Sequence, residues 1–210
     1  MAALFLRTVD SRPPSFFSSH VKSLYFHHDI DLFWITKILA VCSGIWSLTC
    51  NCWPIPSLST CRELNFPTLL TSLYLKRFSG RLKSLLALEN VQPNFRQPFF
   101  ASLTHLRVYD NWESWSAWSW DGLDSITHLC LSFRRRWWNK ALVNEAIGRV
   151  LLQCRKLRVC TMQASSDTIE GVRMLWRDYN DPRLVTILFS DCSDFYDRVE
   201  EVVKRQRAEM

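Results

Sequence analysis

Two six-residue stretches decide how this chain folds: Leu103-Thr104-His105-Leu106-Arg107-Val108 and Ile126-Thr127-His128-Leu129-Cys130-Leu131. Each has apolar side chains at its first, fourth and sixth places, with polar or small residues between them. An extended chain alternates sides at every residue, so places four and six point one way while three and five point the other. Such a stretch reads as a strand with one side in an apolar core. Its close recurrence marks a repeat.

Working outward, Val21/Leu24/Phe26, Ile45/Leu48/Cys50 and Leu70/Leu73/Leu75 precede this pair, and Leu157/Cys160/Met162 and Leu184/Ile187/Phe189 follow it. First places at 21, 45, 70, 103, 126, 157 and 184 give intervals of 24, 25, 33, 23, 31 and 27 residues. Leucine-rich repeats recur every ~20–29 residues, with one strand and one return segment each. Four intervals fit that range, and the two long ones carry insertions. Cys42-Ser43-Gly44-Ile45 and Cys154-Arg155-Lys156-Leu157 agree with it, each placing a cysteine three residues ahead of a first place.

The return segments read mostly as helices. Ile30, Phe33, Trp34, Lys37, Ile38 and Val41 form a stripe at three-and-four spacing, and Leu142, Val143, Ala146, Ile147, Val150 and Leu151 form a better one. Ile169, Val172, Leu175 and Trp176 suggest a third, with Asp167 as its N-cap, and residues 81–88 a shorter one. Pro54, Pro56, Pro67, Pro93 and Pro98 punctuate the chain between them. Strand, turn, helix and turn in succession require crossover connections, hence a parallel sheet. The expected fold is α/β: an irregular leucine-rich-repeat solenoid of ribonuclease-inhibitor-like form, with the parallel sheet on its concave side and helices outside.

At the carboxyl end, Asp194 is positioned to cap a helix with Phe195, Val199, Val202 and Val203 on one side. Glu200–Lys204 and Glu201–Arg205 pair four apart, acid first, and Lys204, Arg205 and Arg207 suit the helix's negative end. A repeat stack must cover its last apolar layer, so this helix is expected to be a C-terminal cap. The organisation expected is an N-terminal segment at 1–20, a solenoid at 21–192 and the capping helix at 193–210.

With 48% hydrophobic and 22% charged residues over 210 positions, the composition excludes a mainly disordered chain. A formal net charge of +6 permits a polyanionic partner without requiring one. The apolar run before Arg7 is too short for a signal-peptide core, and no stretch approaches the ~20 apolar residues of a membrane span. An intracellular location, cytoplasmic or nuclear, is therefore expected, with the 8 cysteines as thiols and no membrane partner.

Phe5-Leu6-Arg7-Thr8, Ser11 to Phe17, His20-Val21-Lys22-Ser23-Leu24, Asp181-Pro182-Arg183-Leu184-Val185, and the terminal helix with Phe195 and Arg198 carry a family resemblance. The chain resembles the leucine-rich-repeat part of F-box/LRR substrate adaptors, and more narrowly an uncharacterised fungal F-box-like group. The resemblance implies a protein-recognition module, the substrate-binding part of a ubiquitin-ligase adaptor. In such adaptors a preceding F-box docks on the Skp1 subunit. Residues 1–20 show no F-box, so that contact is expected only if a preceding segment carries one.

The residues offering chemistry are few. Places three and five should face concave solvent: Ser23 and Tyr25, Ser47 and Thr49, Ser72 and Tyr74, His105 and Arg107, His128 and Cys130, Val159 and Thr161. Its middle (Ser72, Tyr74, His105, Arg107, His128, Cys130) is the candidate protein-binding face. His105 and His128 share the same place in adjacent repeats, roughly 4.8 Å apart at the backbone. With no third ligand evident, they read as part of a binding or solvated face rather than a metal site. His27-His28-Asp29 reads as a polar turn. Cys42, Cys50, Cys52 and Cys61 lack the two closely spaced pairs of a structural zinc site.

Arg134, Arg135, Arg136, Trp137 and Trp138 join basic and aromatic side chains as single-stranded nucleic-acid binders do, which makes nucleic-acid binding the alternative function. Trp112, Trp115, Trp118 and Trp120 either pack a return segment or, if exposed, anchor a partner. No phosphate loop, nucleophile elbow or metalloprotease motif occurs, so no catalytic residue, cofactor or metal is expected.

Overall fold

A computed structural model of the chain describes residues 5, 7–9, 11–27, 30–51, 58–86, 88, 92–133, 139–164, 169, 172–173, 181–188 and 195–208. Its strands are β1 (Ser23–Phe26), β2 (Ser47–Cys50), β3 (Arg77–Gly80), β4 (His105–Val108), β5 (His128–Phe133), β6 (Val159–Ala164) and β7 (Leu184–Leu188). The helices are α1 (Pro14–His20), α2 (Leu32–Val41), α3 (Leu58–Glu63), α4 (Phe66–Ser72), α5 (Leu82–Leu85), α6 (Pro98–Ala101), α7 (Trp112–Trp115), α8 (Lys140–Gln153) and α9 (Phe195–Ala208). The strands form one all-parallel sheet whose spatial order is their chain order. Among the described residues no helix is long and apolar enough to cross a membrane.

Register follows from one backbone device used five times. The carbonyl of Lys22 accepts from the N–H groups of Trp46 and Ser47, and that of Trp46 from Lys76 and Arg77. Lys76, Thr104 and Thr127 receive the same pair of bonds, the last from Arg158 and Val159. Each step places residues of the next strand opposite their equivalents: His105 faces His128, and Leu106 faces Leu129. In this order fourth-place residues Leu48, Phe78, Leu106, Leu129 and Cys160 stack in one row, all buried.

That row points into the helical layer. Ile35, Ile38 and Leu39 of α2, Leu70 of α4, and Val143, Ala146, Ile147 and Val150 of α8 meet it in one apolar cluster. Helix α2 starts where the Asp31 side chain accepts from Phe33 N–H, and α8 where Asn139 accepts from Ala141 and Leu142. Helix α5 is capped from a distance, Asp110 accepting from Leu82 N (2.6 Å) and Lys83 N (3.1 Å). All four tryptophans from Trp112 to Trp120 are buried, and Trp115 Nε1 donates to Ser132 O. They pack the return segment.

Two expected strand positions shift. Leu70 and Leu73 belong to α4 and its C-cap, and the third strand is β3, with Leu75, Phe78 and Gly80 at places one, four and six. Leu70 and Leu73 lie three apart, a spacing a helix satisfies equally well. Gly80 conceals the true strand because its sixth place has no side chain. A Cβ there would meet Leu85 Cδ1 at 2.7 Å and the Phe78 ring at 2.9 Å, so neighbours already fill the space. At the far end Leu184 pairs with Cys160, which makes it a fourth-place residue rather than a first. The expected helix at 169–176 is helical at residues 169, 172 and 173, and Asp167, Leu175 and Trp176 lie outside the described residues.

The C-terminal helix also departs from expectation. It does not close the end of the row of strands. Phe195, Val199 and Val203 of α9 instead form a second buried cluster with Cys130 of β5, Val159 of β6 and Val185 of β7, on the sheet face opposite the helical layer. The expected solvent-facing wall is a covered wall over β3 to β7.

Candidate functional site

Places three and five of the strands build the polar face. From β1 to β7 it runs Ser23/Tyr25, Ser47/Thr49, Arg77/Ser79, His105/Arg107, His128/Cys130, Val159/Thr161 and Arg183/Val185. Ser72 and Tyr74, expected here, precede β3; both are exposed, and Tyr74 retains 84% of its accessible surface. The other four candidates, His105, Arg107, His128 and Cys130, come together as two facing pairs. Arg107 and Cys130 are buried and the histidines half-buried, because α9 lies over them.

Helix α9 presents Phe195, Val199 and Val203 at i, i+4 and i+8, one side of a helix. The seven steps from Tyr196 to Val203 rise about 10 Å, roughly two strand spacings, so one helix face reaches across several strands. Its first turn rests on β3 and β4. The Tyr196 hydroxyl donates to Phe78 O at 3.3 Å and lies 3.4 Å from Ser79 Oγ, and its ring meets His105 edge-on at 4.9 Å. Burial raises the Tyr196 phenol, keeping it a neutral donor. The Phe195 ring lies 3.7 Å from the centre of the Arg107 guanidinium.

Arg107 is 2% exposed and reaches across β5 to β6, where Nε and Nη2 donate to Gln163 Oε1 at 3.1 and 2.9 Å. A guanidinium survives burial when its N–H fork is engaged and its flat face is covered by aromatic rings. Phe195 on one side and Tyr109, 4.8 Å away, supply that cover.

The histidines stack with ring centroids 4.3 Å apart and planes 2° from parallel. Each Nδ1 lies 2.9 Å from the preceding threonine hydroxyl, and His128 Nε2 lies 2.6 Å from Glu200 Oε1 of α9. Desolvation, then the neighbouring His128 and Arg77 charges, depress His105 to about 3. Burial also lowers His128, opposed by its bond to Glu200. Both rings are therefore neutral near neutral pH. The Glu200 carboxylate accepts from His128 Nε2–H, while the Thr127 hydroxyl, with one proton to donate, lies between two acceptors, His128 Nδ1 at 2.9 Å and Thr104 O at 3.0 Å. The parallel rings present no convergent lone pairs, and among the described residues no three His, Cys, Asp or Glu side chains gather as metal ligands.

Burial raises the thiols of Cys42 and Cys61 to about 11 and those of Cys130 and Cys154 to about 12, and raises Cys160 as well. They are packing groups rather than nucleophiles. Cys42, Cys50 and Cys61 sit in the main core, while Cys52 lies outside the described residues, as do His28, Asp29 and the whole cluster from Arg134 to Trp138.

Sequence reasoning missed Arg77, Ser79, Gln163 and Tyr196. The first two follow once the third strand is moved to 77–80; Tyr196 was hidden beside the apolar stripe of a supposed cap. Toward β1 and β2 the polar face is less covered: Ser23 is exposed, and Tyr25, Ser47 and Thr49 are half-buried. At the amino ends of the strands, exposed Lys22, Trp46, Lys76 and Arg158 share one row with half-buried Thr104 and Thr127, which stand between the last two, and Arg77 bridges the Trp46 and Tyr196 rings at 5.3 and 5.5 Å. No family model, curated protein or solved structure matches the chain.

Proposed function

We propose that this is a non-catalytic protein-recognition module, an irregular leucine-rich-repeat solenoid of the F-box/LRR type. The observation carrying this reading is the polar face itself. Seven parallel strands in chain order turn one side against helices, and places three and five form the opposite wall, covered by α9 over β3 to β7 and open over β1 and β2. The period of the strands and the resemblance described above support the family, and with it the substrate-binding role in a ubiquitin-ligase adaptor.

The partner contacts the stretch over β1 and β2 together with the basic–aromatic row of Lys22, Trp46, Lys76 and Arg158, which suits an acidic protein segment. Affinity purification from the native cell type tests this. Wild-type protein should retain a specific partner that a folded Trp46→Ala/Lys76→Glu variant loses, and equal recovery by both would overturn the assignment. The same basic row favours a second reading, single-stranded nucleic-acid binding. That reading requires affinity that falls steeply with salt, and absence of RNA binding at low salt ends it.

A further inference from the structure

Two apolar clusters hold the molecule together, and they differ in size and in what surrounds them. The helical layer meets the sheet through the larger one, a run of aliphatic, aromatic and sulfur side chains from Phe17 to Leu184. Helix α9 meets it, among the described residues, through a smaller cluster in which Phe195, Val199 and Val203 pack on Cys130, Val159 and Val185, with Ile187, Tyr196 and Val202 partly buried beside them. Around these the seat is polar and specific. A guanidinium lies beneath the Phe195 ring, the Phe78 carbonyl accepts from the Tyr196 hydroxyl with the Ser79 hydroxyl 3.4 Å from it, and the His128 imidazole lies 2.6 Å from the Glu200 carboxylate. Asp197, Arg198, Glu201, Lys204 and Arg205 on the other side of α9 are exposed.

A face whose function is only to be covered is most stable when apolar, because every polar group it buries must be matched. This one instead reads side chains: an aromatic pair, then an apolar residue four positions and a carboxylate five positions after the first ring. We propose that the polar face over β3–β7 is a docking site for an amphipathic helix of a partner protein carrying this pattern, and that α9 is its built-in competitor. The pattern in this chain is Phe195, Tyr196, Val199 and Glu200. The proposal rests on reading the sheet as a recognition surface, but it uses a different part of that surface from the Trp46 row.

The probe is a fluorescein-labelled synthetic peptide of residues 193–210, titrated into full-length protein and followed by anisotropy. A full-length Tyr196→Ala/Glu200→Ala variant weakens α9 in its seat while leaving the seat intact. It should bind the peptide at least tenfold more tightly than wild type. A peptide with Phe195, Tyr196 and Glu200 replaced by alanine should bind neither protein. Equal binding to wild type and variant, or equal binding of both peptides, overturns the proposal.

If the variant does not melt cooperatively, a full-length chain with a protease site placed within 189–194 replaces it, cut after folding. Exchange of the cut helix for labelled peptide supports the proposal; a helix that excess peptide cannot exchange overturns it. Concentration-dependent dimers that the peptide dissolves would assign the seat to a second copy and also overturn it. Loss of the Trp46-dependent partner alone leaves this result unaffected.

Discussion

Replacing Phe195 by alanine should detach α9 and leave the rest of the molecule standing. The ring is 3% exposed and covers the Arg107 guanidinium at 3.7 Å. Truncating a buried phenylalanine costs about 3–5 kcal/mol in a closed core. Losing a desolvated cation–π contact adds about 2 kcal/mol, but water then reaches Arg107 and returns much of that. A net of about 3 kcal/mol corresponds to roughly a 150-fold shift in the opening equilibrium of the helix. Hydrogen exchange read by mass spectrometry resolves where it falls. Amides of 195–208 should lose about two decades of protection, while those of β4–β6, bonded to neighbouring strands, and of α8 should keep theirs. Uniform loss across the chain would refute the two-cluster account, as would unchanged protection of α9.

Other consequences follow from the same geometry. Leu106 is fully buried in the main core, so Leu106→Asp should abolish cooperative unfolding, whereas His105→Ala should retain it; equal thermal stability of the two would contradict the facing of β4. Folding depresses both histidines below their ordinary value near 6.5, so the unfolded chain binds protons that the folded one does not. Their stabilising contribution is present above about pH 6.5 and is lost as pH falls toward the folded values; the urea midpoint should drop over that range, less steeply in His105→Ala. Asp110, raised to about 6 by burial, acts in the opposite sense, its contribution fading as pH rises through 6. Gly44→Ala places a Cβ 1.8 Å from the Ser18 carbonyl oxygen, so α1 must move; a loss of about 2 kcal/mol or more is expected in chemical denaturation, and no loss would contradict the docking of α1.

The parallel α/β sheet was legible because its strongest strands alternate an apolar place four with places three and five in the same way. The pair at His105 and His128 could be read directly, and the structure stacks them. The third strand was not legible, since glycine at place six erased the apolar mark and a helix end three residues long in its spacing imitated it. The seventh was misread for a related reason: Leu184, Ile187 and Phe189 fit the spacing, but backbone pairing puts Leu184 at place four. Helix α9 was legible as an amphipathic helix, yet its stripe cannot say which apolar surface it covers. Cys130, Val159 and Val185 make places three and five locally apolar near the C-terminal end, and that departure was the available clue to its seat. Arg107 looked solvent-facing because nothing local foretold the Gln163 fork and the Phe195 ring that let it stay buried.

The most direct test of the central claim, that the terminal helix occupies the polar face rather than the end of the sheet, is photo-crosslinking from position 196. With benzophenone-alanine replacing Tyr196 in the full-length monomer, mass spectrometry should map insertion to residues 77–79 and 105 of the same chain. Insertion into residues 184–188, or only between two chains, would contradict it.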